Sequence, residues 1–163
     1  KNKYIARTFI APNQKMRENN VKIKLNPIPD AVRGKRVVLI DDSIVRGTTS
    51  ARIVRLMREA GAKEIHMRIS SPPFMNPCYY GTDIDSRDML IACHHSVEEI
   101  AQIVGADTLG FLKTERLGDL IGEKCGEGYC DACFTARYAT EIPEDSGKNR
   151  FECKISERKK SVK

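Results

Sequence analysis

Tryptophan is absent from this chain of 163 residues, and aromatic side chains make up only 6% of it. Proteins that bind single-stranded nucleic acid usually stack bases on aromatic rings along a basic groove. The formal net charge of +6 would permit such binding, but no basic stripe carries interleaved aromatic residues. Nucleic-acid binding is therefore disfavoured, and a small polyanionic substrate accounts equally well for the cluster of cations in residues 1–24.

Long apolar runs are also missing. No stretch approaches the roughly 20 apolar residues that a membrane-spanning helix needs, and residues 1–4 lack the apolar centre of a secretory signal peptide. We expect a soluble, cytoplasmic protein without a membrane partner. The six cysteines are unevenly spaced among lysine-rich segments, which favours reduced thiols or metal ligands over a disulfide framework.

The length is sufficient for one α/β core of ordinary size. We assign residues 1–142 to a single domain, with a cysteine-rich segment near 125–135. Residues 143–163 are dominated by charged side chains, and we expect them to form a flexible tail.

A strand buried on both faces is predicted at residues 37–40, because four consecutive apolar residues bounded by charges are typical of the interior of a parallel sheet. Asp41 and Asp42 follow it directly. In open α/β sheets, ligands bind at the carboxyl ends of the strands. The acidic pair is therefore placed to bind hydroxyl groups or a metal ion.

The turn after the acidic pair is predicted to bind phosphate. Gly47 can adopt a positive φ, which lets backbone N–H groups converge on an anion. A helix should follow over residues 49–60, because apolar residues recur there with helical spacing at Ile53, Leu56, Met57 and Ala60. Its free N–H groups and positive dipole end would also attract phosphate. Carboxylates beside a phosphate site suggest a phosphorylated sugar.

Further elements complete the pattern of an α/β protein with an open, mostly parallel sheet and flanking helices. Apolar and polar residues alternate over 65–69, which predicts a second strand. A capping box at 96–99 begins a helix. A short strand over 108–112 and a helix over 117–121 follow.

The stretch 38–49, Val-Leu-Ile-Asp-Asp-Ser-Ile-Val-Arg-Gly-Thr-Thr, resembles the phosphoribosylpyrophosphate (PRPP) signature of type I phosphoribosyltransferases. The residues that follow the acidic pair, Ser-Ile-Val-Arg, are similar to the corresponding residues of the glutamine PRPP amidotransferases. The resemblance implies a type I phosphoribosyltransferase-like fold, incomplete at its N-terminal side. It extends to about residue 142, through segments 1–10, 71–73, 77–81, 105–108 and 130–135.

The resemblance implies an enzyme that forms 5-phosphoribosylamine and pyrophosphate from PRPP and glutamine-derived ammonia, in the first step of purine synthesis. Members of the family begin with a glutaminase domain that has no counterpart here, so we expect a C-terminal fragment that is inactive alone. Inhibition by purine nucleotides and a homo-oligomeric full-length enzyme are also implied. The alternative is a non-catalytic, PRPP-sensing regulator of the same fold that binds nucleic acid, which the basic tail suits.

The resemblance also assigns residues to roles. Segment 1–24 is similar to the loop that folds over bound PRPP, and its catalytic candidates, expected to contact pyrophosphate, are Lys3, Arg7 and Lys24. Mg²⁺ would be held by Asp41 and Asp42. The substrate-binding positions are Asp41, Asp42, Ser43, Ile44, Val45, Arg46, Gly47, Thr48 and Thr49.

Cys130 and Cys133 have the spacing with which two thiolates chelate one metal or cluster, and this spacing alone is shared by zinc, redox and iron–sulfur sites. In the family that the chain resembles, members with a 4Fe-4S cluster use motifs that match Cys78, Cys130 and Cys133. The resemblance therefore implies a structural 4Fe-4S cluster, with zinc as the alternative. The family's fourth ligand lies upstream of the PRPP-binding part, and Cys125 is a weaker substitute.

Overall fold

The computed structural model describes residues 27–84, 86–121 and 128–142. Its centre is an open parallel sheet, as the sequence predicts. The described strands are β1 Arg36–Asp41, β2 Glu64–Ile69 and β3 Thr108–Phe111. Their order in the sheet is β1-β2-β3, and each neighbouring pair is parallel.

Helices connect the strands and cover one face of the sheet. The crossover from β1 to β2 contains helix α2 (Thr48–Glu59), and that from β2 to β3 contains helix α3 (Val97–Val104). None of the helices in the described part of the chain is long and apolar enough to cross a membrane. The helices are α1 Pro29–Val32, α2 Thr48–Glu59, α3 Val97–Val104, α4 Leu117–Ile121 and α5 Ala132–Thr135, with single 3₁₀ turns at Arg87–Met89, Ile91–Cys93 and Thr114–Arg116.

The start of α3 confirms the predicted capping box. The Ser96 hydroxyl accepts from the Glu99 backbone N–H at 3.2 Å, and the Glu99 carboxylate accepts from the Ser96 N–H at 2.7 Å. Gly105 ends the helix with a φ of 79°, a conformation that favours glycine. Local sequence therefore determines both ends of this helix.

The core lies between the helices and one face of the sheet. Ile65, Met67 and Ile69 of β2 point to this face and are buried, as their alternation predicts. They share a cluster with Val54 of α2 and Ile100 of α3. The central strand thus contributes three buried side chains to the core.

The prediction that β1 is buried on both faces is wrong for the outward face. Val38 and Ile40 are 63% and 74% exposed, respectively. Both crossover helices pack on the opposite face, so no described helix covers these side chains. The same outward face carries His66, whose ring nitrogens lie 3.1 Å from Glu64 and 3.0 Å from Thr108.

Helix α2 is also rotated relative to its predicted apolar stripe. Met57 and Ala60 pack against the core, as expected. The most buried apolar residue is instead Val54, whereas Ile53 and Leu56 are only half-buried. The rotation places Val54 against the sheet. It also brings Val54 close to the end of α3, as shown by the 3.6 Å that would separate its side chain from a Cβ at Gly105.

A charged contact joins the end of α2 to the starts of β2 and β3. One carboxylate oxygen of Asp107 accepts from the Ile65 backbone N–H and from Arg58, each at 2.6 Å. Arg58 also donates to the Lys63 carbonyl at 2.9 Å. The Ile65 N–H, together with Arg58, lowers the pKa of Asp107 below its ordinary value of 3.8.

We expect Asp107→Asn to lower the urea midpoint of unfolding at pH 7, because the amide loses its ionic contact with Arg58. A lowered folded-state pKa stabilises the fold above the unfolded value of 3.8, and this stabilisation is lost as the pH falls through the folded value. The deficit of the variant should therefore shrink below pH 3.8. Asp119→Asn removes an exposed i,i+3 pair with Arg116 and should change little. Equal deficits in the two variants at pH 7 would contradict the prediction.

Candidate functional site at the carboxyl edge of the sheet

The acidic pair lies at the carboxyl end of β1. Asp41 is the last residue of the strand and is half-buried, whereas Asp42 is exposed. The Asp42 N–H donates to the Asp41 carboxylate at 3.1 Å. Burial raises the pKa of Asp41 above its ordinary value; the Asp42 N–H opposes this effect and the Asp42 carboxylate adds to it. A cation or a hydroxyl donor bound here would relieve the unfavourable burial of charge.

The turn from 43 to 47 is held in place by contacts with the core. Ile44 is 2% exposed, and the Val45 carbonyl accepts from the Ile91 N–H at 2.9 Å. Gly47 has a φ of 79°, and a Cβ there would lie 2.8 Å from the Ile91 side chain. The backbone conformation therefore favours glycine here, and any larger residue would also have to displace the end of the Ile91 side chain. These contacts hold the start of α2 beside the acidic pair.

The N-terminus of α2 has the properties of an anion site. Its N-cap, Gly47, provides no side-chain cap, and the first turn contains no acidic residue. The free N–H groups of the first turn and the positive end of the helix dipole are therefore available to a ligand. Thr48 is exposed at this position. The predicted start at Thr49 is confirmed to within one residue.

Ser70 is a neighbour of the acidic pair that the sequence reasoning missed. Its backbone N–H donates to the Asp41 carbonyl at 3.0 Å. Its hydroxyl lies 3.3 Å from the same carbonyl and 3.5 Å from that of Asp42. A signal was present, because Ser70 directly follows a predicted strand, and the carboxyl ends of parallel strands meet at one edge.

A cleft of about 410 Å³ opens beside Ser70 at the same edge of the sheet. Its walls come from the ends of β2 and β3 and from α4. Apolar side chains form most of the lining, and Arg68 supplies a positive charge. The lining residues are Arg68, Ile69, Ser70, Gly110, Phe111, Leu112 and Leu120.

The three predicted catalytic cations, Lys3, Arg7 and Lys24, lie outside the described residues, as does Cys125. The predicted substrate-binding positions from Asp41 to Thr49 all lie within the described residues, and Ser70 lies beside the first two of them.

The cysteines lie in a second region, where the proline-rich loop after β2 meets the C-terminal segment. The N–H groups of Met75 and Asn76 both donate to the Cys133 carbonyl at 3.0 Å. The rings of Phe74 and Phe134 pack against each other at a tilt of 43°, with centroids 5.0 Å apart. The sequence hypothesis requires this meeting for Cys78 to join the Cys130–Cys133 pair.

Cys78 and Cys133 have opposite electrostatic environments. Burial disfavours the Cys78 thiolate, but the N–H groups of Thr82, Tyr80 and Gly81 outweigh it and lower the pKa to about 7. Burial raises the pKa of Cys133, and negative charge on Cys78 adds to this effect. Of these two thiols, Cys78 is therefore the one that ionises at the lower pH.

Cys130, the third predicted ligand, is more exposed than Cys78 and Cys133. It is exposed, and Cys78, Cys93, Cys130 and Cys133 are all free thiols. Across residues 27–84, 86–121 and 128–142, no group of three histidine, cysteine or acidic side chains is arranged to hold one metal ion. The described residues therefore place the loop that bears Cys78 against the segment that bears Cys133, without a complete ligand set for one metal ion.

Comparison with known proteins identifies close relatives, although no protein-family model matches the chain. The sequence is 56% identical to an amidophosphoribosyltransferase of Bacillus subtilis over 149 residues, which are 90% of this chain and 31% of that protein. It is 54% identical to an amidophosphoribosyltransferase of Archaeoglobus fulgidus over 144 residues, 88% of this chain and 32% of that protein. The chain thus spans about a third of the length of these curated relatives.

A solved structure gives the same result for the fold. The structure of glutamine PRPP amidotransferase from B. subtilis, complexed with ADP and GMP, superimposes with a TM-score of 0.73 at 55% identity. The match covers 89% of this chain and 32% of that one. The fold and the family that the sequence predicts are both confirmed.

We expect Gly47→Ala to destabilise the fold. The left-handed backbone and the clash with Ile91 together should cost about 2–4 kcal/mol in the free energy of unfolding. Gly34 is the matched control, since its φ is 70° but a Cβ there would meet nothing within 4 Å. Gly34→Ala should cost only about 1–2 kcal/mol. Urea titration measures both values, and equal losses would show that the Ile91 contact has no role.

Proposed function

We propose that this chain, which belongs to the amidophosphoribosyltransferase family, supplies the PRPP-binding part of an enzyme that makes 5-phosphoribosylamine. The observation that carries the proposal is the acidic pair beside the uncapped N-terminus of α2. Carboxylates suit ribose hydroxyls and Mg²⁺, and free N–H groups suit phosphate. The similarity to curated enzymes favours this function over a PRPP-sensing regulator that binds nucleic acid.

The substrate would bind across the edge of the sheet. Thr48 and Thr49 offer hydroxyl and N–H groups to the 5′-phosphate, while Ser43 to Gly47 line the turn beneath it. Asp41 and Asp42 bind the ribose hydroxyls. Ser70 keeps the backbone of the acidic pair in place through the two carbonyls that it contacts.

The same carboxylates are the residues that would hold Mg²⁺. The fit is supported by the raised pKa of Asp41, which results first from burial, because a bound cation offsets the cost of a buried carboxylate. Mg²⁺ commonly binds through one or two carboxylates together with substrate phosphates. When bound, the ion would neutralise charge on the departing pyrophosphate.

In the reaction, ammonia attacks C1 of PRPP and pyrophosphate leaves. The C1–O bond breaks ahead of C–N bond formation, so negative charge accumulates on the leaving group. The demand on the protein is mainly electrostatic, and the proposed source of positive charge besides Mg²⁺ is Lys3, Arg7 and Lys24. Neutral ammonia is already a nucleophile, so the chain needs no general base at this step.

We assign release of ammonia from glutamine to the portion of the relatives' length that this chain does not match. The B. subtilis relative was solved with ADP and GMP, which supports purine nucleotides as ligands that regulate the activity. Because this chain spans about a third of its relatives' length, each functional test uses the full-length protein.

We expect Asp41→Asn and Asp42→Asn in the full-length enzyme to reduce ammonia-dependent turnover of PRPP by about 10²-fold or more, the usual effect of removing a group that stabilises developing charge. Glutamine hydrolysis should be spared. Asp30→Asn is the control, since Asp30 is exposed in α1, which precedes the amino end of β1. Full ammonia-dependent activity in both site variants would refute the proposal.

A structural 4Fe-4S cluster on Cys78, Cys130 and Cys133 is the second part of the proposal, with a fourth ligand outside the described residues. Its support is the contact between the proline-rich loop and α5, together with the N–H groups that favour the Cys78 thiolate. Cys130, which is exposed, would have to turn toward the pair. The role of the cluster would be to tie the C-terminal segment to the sheet. A zinc ion at the same cysteines is the alternative to the cluster.

Full-length protein purified without oxygen should contain about four iron atoms per chain and be brown. Serine at position 78, 130 or 133 should remove the iron and the colour. Cys93→Ser is the control, because its sulfur instead contacts the Met75 carbonyl at 3.2 Å. A colourless protein that binds one zinc ion would eliminate the cluster but retain the thiolate site.

A further inference from the structure

Arg52 is a buried cation without an anionic partner. The residue is only 8% exposed, and its Nε has no hydrogen-bond partner. Within the described part of the chain, no carboxylate forms an ion pair with it. The two other arginines of α2 that lie nearest along the helix behave differently. Arg55 lies 4.0 Å from Glu59, and Arg58 lies 2.6 Å from Asp107.

An isolated buried guanidinium is unfavourable because it remains charged at every pH at which proteins fold. Its desolvation must be offset by an anion or by several hydrogen-bond acceptors. Burial without these partners therefore indicates that an anion completes the environment of Arg52 in the working protein.

The helix geometry indicates where that anion lies. Arg52 follows Thr48 by four residues, so the two occupy one face of α2 on consecutive turns. Side chains on a helix lean toward its N-terminus. By this general tendency, a side chain at position 52 leans toward the first turn of α2, where the N–H groups are uncapped and no acidic side chain is present.

We propose that Arg52 binds the 5′-phosphate of the phosphosugar from the side of α2, in addition to the N–H groups at the helix start. The inference rests on the proposed function, which places that phosphate at Thr48 and Thr49. A phosphate dianion matches the sum of the guanidinium and the helix dipole, and arginine offers it a paired set of donors. The sequence gives no signal for this role, because residue 52 looks like one of several solvent-exposed arginines on an amphipathic helix.

The test uses the full-length protein and ribose 5-phosphate, with binding measured by calorimetry. Arg52→Gln should weaken binding about 10- to 100-fold, the range for losing hydrogen bonds to a charged group. Arg55→Gln is the matched control and should change binding less than about 2-fold, because Arg55 is an exposed arginine one turn further along with only a weak pair. Arg52→Lys should fall between the wild type and Arg52→Gln.

The outcomes separate the two levels of the proposal. If the wild type binds ribose 5-phosphate and Arg52→Gln binds equally well, the role of Arg52 is overturned while the phosphate site stands. If the wild type does not bind, the phosphate site itself is overturned, and this role with it. If Arg52→Gln does not fold, a crystal structure of the wild type with ribose 5-phosphate decides: a guanidinium nitrogen about 3 Å from a phosphate oxygen supports the inference, and a distant one overturns it.

Discussion

Parallel pairing of β1 with β2 is the constraint on which the rest of the structure depends. Parallel strands need a long crossover, and here α2 supplies it. The ladder from Arg36↔Glu64 to Asp41↔Ile69 brings both carboxyl ends to one edge. It continues beyond the strands, since the Ser70 N–H donates to the Asp41 carbonyl. The acidic pair, the helix start and Ser70 therefore meet because of a single register.

The parts that local sequence determines were predicted well. The α2 start, the capping box of α3 and the alternation of β2 each depend on residues within a few positions of one another. The orientation of Val54 and the exposure of Val38 and Ile40 depend on what packs against them. An apolar run reports a preference for burial, but it does not report which layer covers it. For this reason β1 was correctly predicted as a strand and incorrectly as one covered on both faces.

Arg52 and Ser70 show why the site itself was only partly predictable. A motif identifies residues that are adjacent in the chain, such as Asp41 and Thr48. Ser70 reaches the acidic pair through strand pairing across 29 positions of sequence. Arg52 and Arg55 are both cations on the same helix, and only the folded structure distinguishes them, by the burial of Arg52 and by the pairing of Arg55 with Glu59. The tertiary structure therefore identifies residues outside the motif, such as Ser70 and Arg52, that the sequence pattern does not reveal.

The two regions of interest are joined by one stiff loop. At one end, Ser70 is hydrogen-bonded to the backbone of the acidic pair. At the other end, the Pro77 carbonyl accepts from the Tyr138 hydroxyl at 2.7 Å, and the next residue is Cys78. Prolines at 72, 73 and 77 restrict the loop between these anchors. Since a stiff segment fixed at both ends has little freedom to adjust, the position of the C-terminal segment is coupled to the edge that bears the acidic pair. A cluster or metal at the cysteines, as proposed above, would then preserve the geometry of the proposed phosphosugar site without taking part in its chemistry.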